Sequence, residues 1–175
     1  MRIWDLPVRL LHWALVVSIA VAWWSRDDLG PTHENTGYVV IGILVARLVW
    51  GFAGSHYARF AQFVRSPQFT LDYARSTLGG HAPRYLGHNP LGGWMVLALL
   101  ACLGALSFTG WLYTTDMFWG YGWLANLHKY LGWALLGLVA MHILGMLWTC
   151  WQHRENLVRA MVTGKKAPPS GDDVA

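Results

Sequence analysis

Four long apolar runs set the pattern of this chain: residues 10–24, 38–52, 91–113 and 127–151 carry almost no charge, and the charged residues gather between them. A helix that crosses the hydrocarbon core of a bilayer needs roughly 20 mainly apolar residues, within a range of about 17–25. The third and fourth runs reach that length alone, and the first two reach it with their flanking turns. Inside lipid every backbone N–H and C=O must be satisfied within the segment, so such runs form helices. The pattern predicts an all-α integral membrane protein, a bundle of four transmembrane helices at about 8–25, 35–53, 90–113 and 126–151 within a single domain over residues 1–166.

The connections add detail. The loop over 53–90 is long for a compact helical protein. Its segment PQFTLDYARSTLGG has Pro67 at a helix start, Gly79-Gly80 as a stop, and Phe69, Tyr73 and Leu78 as apolar positions. It predicts one short helix lying on the membrane surface. Asn89-Pro90 opens the third span, with Pro90 suited to a first-turn position. The tail 167–175, APPSGDDVA, is small and polar and predicts a disordered end.

Composition agrees: 55% of the 175 residues are hydrophobic and 13% charged, against about a quarter charged in a soluble domain. A cleaved signal peptide is the alternative for the first run, because Arg2 and Arg9 precede a short apolar core. No small-x-small cleavage site follows it, and Trp23-Trp24 is a poor substitute. Charge placement orients the bundle. Arg2 and Arg9, then Arg59, Arg65, Arg75 and Arg84, then Arg154, Arg159, Lys165 and Lys166 all fall on one side. The opposite connections carry Arg26 and Lys129 against Asp27, Asp28, Glu34 and Asp116. The positive-inside rule then places both termini and the 53–90 loop in the cytoplasm. Topology explains the net charge of +4 without a nucleic-acid partner.

Tryptophans mark the two interfaces, with Trp23, Trp24, Trp111, Trp119 and Trp123 at the outer edge and Trp13, Trp50, Trp94, Trp148 and Trp151 at the inner one. The two cysteines, Cys102 and Cys150, lie at different depths and form no zinc or covalent-haem pattern, so both are core residues.

Histidine carries the chemistry. His128 and His142 bracket HKYLGWALLGLVAMH, and fourteen residues of helix advance about 21 Å and stop about 40° short of four full turns. The two rings share one face at two depths. An ionisable residue inside a membrane helix marks function unless a structural hydrogen bond accounts for it. Depth supplies partners. His12 starts near the inner side, level with His142, and His33 precedes the second span at the outer side, level with His128. One histidine pair per leaflet suits two six-coordinate b haems, for which neutral imidazole is an axial ligand. HENTG and HKYLG each place a glycine, Gly37 and Gly132, one turn after an outer histidine. There a missing side chain leaves room for a flat porphyrin or serves helix packing. Arg47 lies fourteen residues after His33, at the depth of the inner pair. It either binds a haem propionate or snorkels to the inner headgroups. Zinc would require four close N or S ligands. A proton relay would require buried acids, and the helix-adjacent acids, Glu34 and Asp116, stand at the outer edge.

The stretches WDLPVRLLHW (4–13), HENTGYVVIGILVARLVWGF (33–52), RYLGHNPLGGWMVLALL (84–100) and HRENLVRAMVTGKK (153–166) resemble the bacterial cytochrome b561 family, in the branch with the cytochrome b subunit of nickel–iron hydrogenases. The resemblance covers most of the chain in order. It implies four membrane helices holding two b haems, with His12 and His142 on the inner haem iron and His33 and His128 on the outer. It also implies electron transfer between the quinone pool and a periplasmic redox partner such as cytochrome c. Two other activities occur in the family: superoxide oxidation coupled to ubiquinone reduction, and anchoring of a hydrogenase or dehydrogenase. The first needs an electropositive funnel at the outer face, where Arg26 and Lys129 compete with four acids. Hydrogenase subunits are usually longer, and GHNPLGG resembles a motif of stand-alone members, which favours an independent redox protein. By the resemblance His88 is not a ligand but a cap or interface residue.

Overall fold

Asp5 opens the first helix. Its Oδ1 accepts a hydrogen bond from the Val8 amide at 2.8 Å, and Pro7 sits in the first turn, where its missing N–H costs nothing. The computed structural model describes residues 1–28, 30–169, 171, 173 and 174, and the helices run α1 Leu6–Trp24, α2 Thr32–Ala53, α3 Phe60–Phe63, α4 Pro67–Leu78, α5 Pro90–Tyr113, α6 Gly122–His153 and α7 Leu157–Thr163, with a 3-10 turn at His56–Ala58 before α3. α1, α2, α5 and α6 are each long and apolar enough to cross a membrane.

The four spans close a ring. α1 lies along α2, α2 along α5 and α5 along α6. α6 returns to α1 through side chains, where the Trp23 and Trp133 rings meet at 5.0 Å. The middle of the bundle is filled by Val40 and Leu44 from α2, Leu103 from α5 and Leu135 from α6. Few other side chains on the spans are buried in the isolated chain, as expected of a surface facing hydrocarbon.

Both termini lie at one end of the bundle, here the terminal face, together with the 54–89 segment. The connections 25–31 and 114–121 form the opposite, hairpin face. The terminal face has a core of its own, made of Ile3, Trp4, Val8, Ala58, Leu86 and Ala160. The N-terminal amine donates to the Lys166 carbonyl at 2.8 Å, Ile3 N to the Gly164 carbonyl at 2.9 Å, and Arg9 Nη2 to the Val162 carbonyl. Gly164 ends α7 in the left-handed region with φ 78°, against the Trp4 carbonyl, where an added Cβ would collide.

Several boundaries differ from expectation for local reasons. α6 begins a turn earlier than 126 because Leu124, 1% exposed, is buried under the hairpin, which stabilises that turn by about 1.5–3 kcal/mol. α2 begins at Thr32, so His33 stands inside its first turn rather than before it. The 53–90 loop holds α4 as predicted, together with the 3-10 turn and α3. α4 turns Thr70 and Tyr73 inward and leaves Phe69 and Leu78 exposed.

The tail departs most. Residues 170, 172 and 175 of the segment expected to be disordered lie outside the described residues. Asp173 and Val174 fold back on 84–86: Asp173 is ion-paired with Arg84 at 2.5 Å, and Val174 exchanges backbone hydrogen bonds with Arg84 and Leu86. Arg84 also binds Glu155 at 2.9 Å, and Glu155 binds Lys166 at 3.2 Å. A pattern of small polar residues does not reveal that a distant cation, Arg84, awaits it.

Candidate haem-binding site

Two histidine pairs stand in the bundle at two depths. The His12 and His142 rings, from α1 and α6, have centroids 6.5 Å apart, and the His33 and His128 rings, from α2 and α6, 6.0 Å apart. With a metal–imidazole bond of about 2 Å and about 1.1 Å from ring nitrogen to ring centre, two imidazoles on opposite sides of one metal have centroids about 6.2 Å apart. Both gaps match one axial metal. Aromatic rings in direct contact have centroids about 4.5–7 Å apart, a range that includes both gaps. Among the described residues no three or more His, Cys, Asp or Glu side chains converge, so each pair stands as two histidines alone. Two axial ligands are what a metal already held in a macrocycle requires.

The pair at the hairpin face is oriented by its backbone neighbours. His33 Nδ1 lies 2.8 Å from the Ala22 carbonyl on α1. His128 Nδ1 lies 3.0 Å from the Leu106 carbonyl and 3.1 Å from Thr109 Oγ1, both on α5. A carbonyl only accepts, so Nδ1 carries the proton and Nε2 keeps the lone pair a metal uses. Gly110 makes the approach of His128 possible, since a Cβ there would stand 2.9 Å from the ring. Sequence reasoning missed Thr109 and Gly110. Their signal was a polar residue beside a glycine deep in an apolar span, a pair with many other uses.

The glycines differ. Nothing lies within 4 Å of a Cβ built on Gly37, which leaves open space beside His33. Gly132 faces the Trp23 ring at 3.8 Å, so that ring covers part of the space its missing side chain provides.

Arg47 does not snorkel. It is 8% exposed, its Nη2 donates to the Ala58 carbonyl at 3.2 Å, and its guanidinium lies 5.0 Å over the Phe60 ring. Its Nη1 is buried without a partner. The charge faces Asp5, an acid at the terminal face that the sequence reading did not count among the helix-adjacent acids. Besides capping α1, Asp5 Oδ2 accepts from Trp50 Nε1 at 2.9 Å and from Ser55 Oγ at 2.5 Å. Burial would raise its pKa, but the hydrogen bonds from Ser55, Val8 and Trp50 and the Arg47 charge hold it below the ordinary carboxylate value. At the other face Arg26 is paired with Asp27 at 3.0 Å and lies over the Trp23 ring.

A bundle of four helices long and apolar enough to cross a membrane, with two facing histidine pairs, fits the class of membrane-bound b-type cytochromes. The chain belongs to the prokaryotic cytochrome b561 family, whose description matches residues 3–164. Among curated relatives it is similar to a probable Ni/Fe-hydrogenase B-type cytochrome subunit of Bradyrhizobium diazoefficiens, 23% identical over 212 residues covering 94% of this chain and 85% of the relative. Proteins of the same description from Azotobacter chroococcum and Azotobacter vinelandii are each 26% identical over 208 residues, covering 93% of this chain and 86% of the relative. No solved structure matches the chain significantly. The chain is therefore an electron-transport protein of the membrane, and its class implies haem b.

Proposed function

We propose that the chain binds two b haems, the inner between His12 and His142 and the outer between His33 and His128, and carries electrons across the bacterial inner membrane between the quinone pool and a periplasmic redox protein such as a cytochrome c. The observation that carries this is the pair of ring separations, 6.5 and 6.0 Å, each fitting one axial iron. When bound, haem iron supplies a one-electron ferric–ferrous couple. The residues do the rest. The Ala22 and Leu106 carbonyls and Thr109 orient the outer imidazoles, and the apolar spans exclude water. Gly37 leaves room for the porphyrin edge, Gly132 leaves the part that Trp23 does not cover, and Arg47 offers a free donor to an inner propionate. His128 and His142, about 21 Å apart along α6, would hold the two haems at different depths. By the positive-inside rule the terminal face is cytoplasmic.

Haem content tests this. The purified protein should hold two haems per chain. H128A should lose one and H142A the other, and an unchanged haem content in either variant refutes the ligand assignment.

A second reading, in which the chain anchors a periplasmic hydrogenase or dehydrogenase, is favoured by the relatives it resembles. Purification in mild detergent separates the two: a stoichiometric enzyme partner supports anchoring, and a chain that purifies alone supports the conduit. Superoxide oxidation has less behind it, because Arg26 is already engaged by Asp27 and Trp23.

A further inference from the structure

The segment GHNPLGG (87–93) presses one histidine inward. Asn89 Oδ1 accepts from the Gly92 amide at 2.7 Å and caps α5, with Pro90 fully buried beside it. Gly93 lies against Phe63, where an added Cβ would come within 2.6 Å of the backbone carbonyl, and Gly87 lies against Tyr57, where it would come within 2.9 Å of the ring. With both flanks held this tightly, His88 sits between Trp4, at 4.7 Å between ring centroids, and Phe63, at 4.5 Å.

His88 Nδ1 is buried and has no hydrogen-bond partner, as is Arg47 Nη1. These are two of four such side-chain atoms among the described residues, the others being Gln62 Oε1 and Gln152 Nε2. The two nitrogens flank one aromatic pair: Arg47 lies over Phe60, Phe60 meets Phe63 at 5.8 Å, and Phe63 meets His88. Buried polar atoms are nearly always satisfied, so two orphans around one cluster call for an absent group.

Charge says which group. The sites acting on His88 are Arg47 from α2, Lys166 from the tail, His12 from α1 and His142 from α6. Asp5, the acid facing Arg47, already accepts from Ser55, Trp50 and Val8. Burial first, then Arg47 and Lys166 together with the His12 and His142 imidazoles, push the His88 pKa down to about 3. The imidazole is thus neutral at working pH, with one N–H to donate. Two buried nitrogens without partners, one of them on the Arg47 guanidinium, suit a carboxylate.

We propose that Arg47 Nη1 and His88 Nδ1 together hold one propionate of the haem bound between His12 and His142, which makes His88 a positioning residue for that haem. This rests on the di-haem reading above and adds a residue to it. An ionised propionate beside the iron couples the haem potential to pH. Losing a donor makes the carboxylate easier to protonate, moving the inflection of the potential–pH profile upward.

The test is a redox titration of the haem-loaded protein as a function of pH. H88F keeps the ring between Trp4 and Phe63 and removes the donor, whereas H88Q keeps a donor. H88F should raise the inflection of the inner haem by about one to two pH units, H88Q should restore most of the wild-type profile, and R47Q should also raise it. In protein loaded with haem dimethyl ester, whose propionates cannot ionise, H88F should have no further effect. A wild-type profile in H88F or R47Q with full haem content overturns the proposal, as does an H88F shift that persists with the ester. If H142A keeps both haems, the ligand assignment has failed, and this inference with it. If H142A loses one haem while H88F titrates like wild type, only the role of His88 is lost.

Discussion

The imidazole of His128 on α6 is fastened to the carbonyl of Leu106 on α5, with Nδ1 and oxygen 3.0 Å apart. The hydroxyl of Thr109, one turn further along α5, reaches the same nitrogen at 3.1 Å. The orientation of this ring is therefore set by a helix other than its own, and four expectations follow from contacts of this kind.

Enlarging Gly110 should displace the ring. A Cβ there stands 2.9 Å from His128 Cε1, tighter than real contacts allow, and the branched side chain of G110V adds bulk that the ring cannot avoid. G110V should lose the outer haem and keep the inner, and G110A should bind the outer haem more weakly. Haem per chain, with the two haems separated by their redox midpoints, checks both.

Removing the Thr109 hydroxyl while keeping its shape should loosen the outer haem without abolishing it. T109V leaves the Leu106 carbonyl in place, and losing one outer-shell partner of a ligand costs about 10-fold in affinity at the low end. The rate of haem transfer to an apo-globin acceptor should rise by about that factor, with no change in folding temperature beyond that of a surface variant.

Asp5 ties the start of α1 to the end of α2 through Trp50 and Ser55. D5A removes a helix cap and two hydrogen bonds to a charged acceptor, and should cost about 2–3 kcal/mol. D5N keeps the cap and should cost less. Thermal unfolding in detergent micelles, compared at equal haem content, gives the order wild type, D5N, D5A.

The ion-paired tail should open in acid. Burial raises the Glu155 pKa, but the hydrogen bond from Arg84 and the charge of Lys166 outweigh it, so the folded value lies below 4.5. A carboxyl with a depressed folded pKa contributes stability that is complete above its unfolded value and is lost as pH falls through the folded one. Exchange protection of the Leu86 and Val174 amides, which are bonded across this contact, should hold at neutral pH and fall below pH 4.5. E155Q should lack the protection at every pH.

The four spans were legible in the sequence because hydropathy and length decide them locally, and the lipid removes other backbone arrangements. The histidine pairing was legible for a related reason: helical rise converts residue number into depth, so His12 could be matched with His142 and His33 with His128 before any contact was known. The contacts between the 53–90 loop and the tail were not legible because they depend on partners far along the chain. Arg84 binds Asp173 across 89 residues, and Lys166 donates to the Tyr85 carbonyl across 81.

The sequence by itself thus determined the bundle, the depths of the histidines and the family. The tertiary structure alone decided which side chains complete the sites. Asp5, Thr109 and Gly110 have unremarkable local patterns, and each matters through neighbours on other elements. Hydropathy is a property of a segment, whereas an unpaired nitrogen or the space of a missing Cβ is a property of a place. Places exist only once the chain has folded.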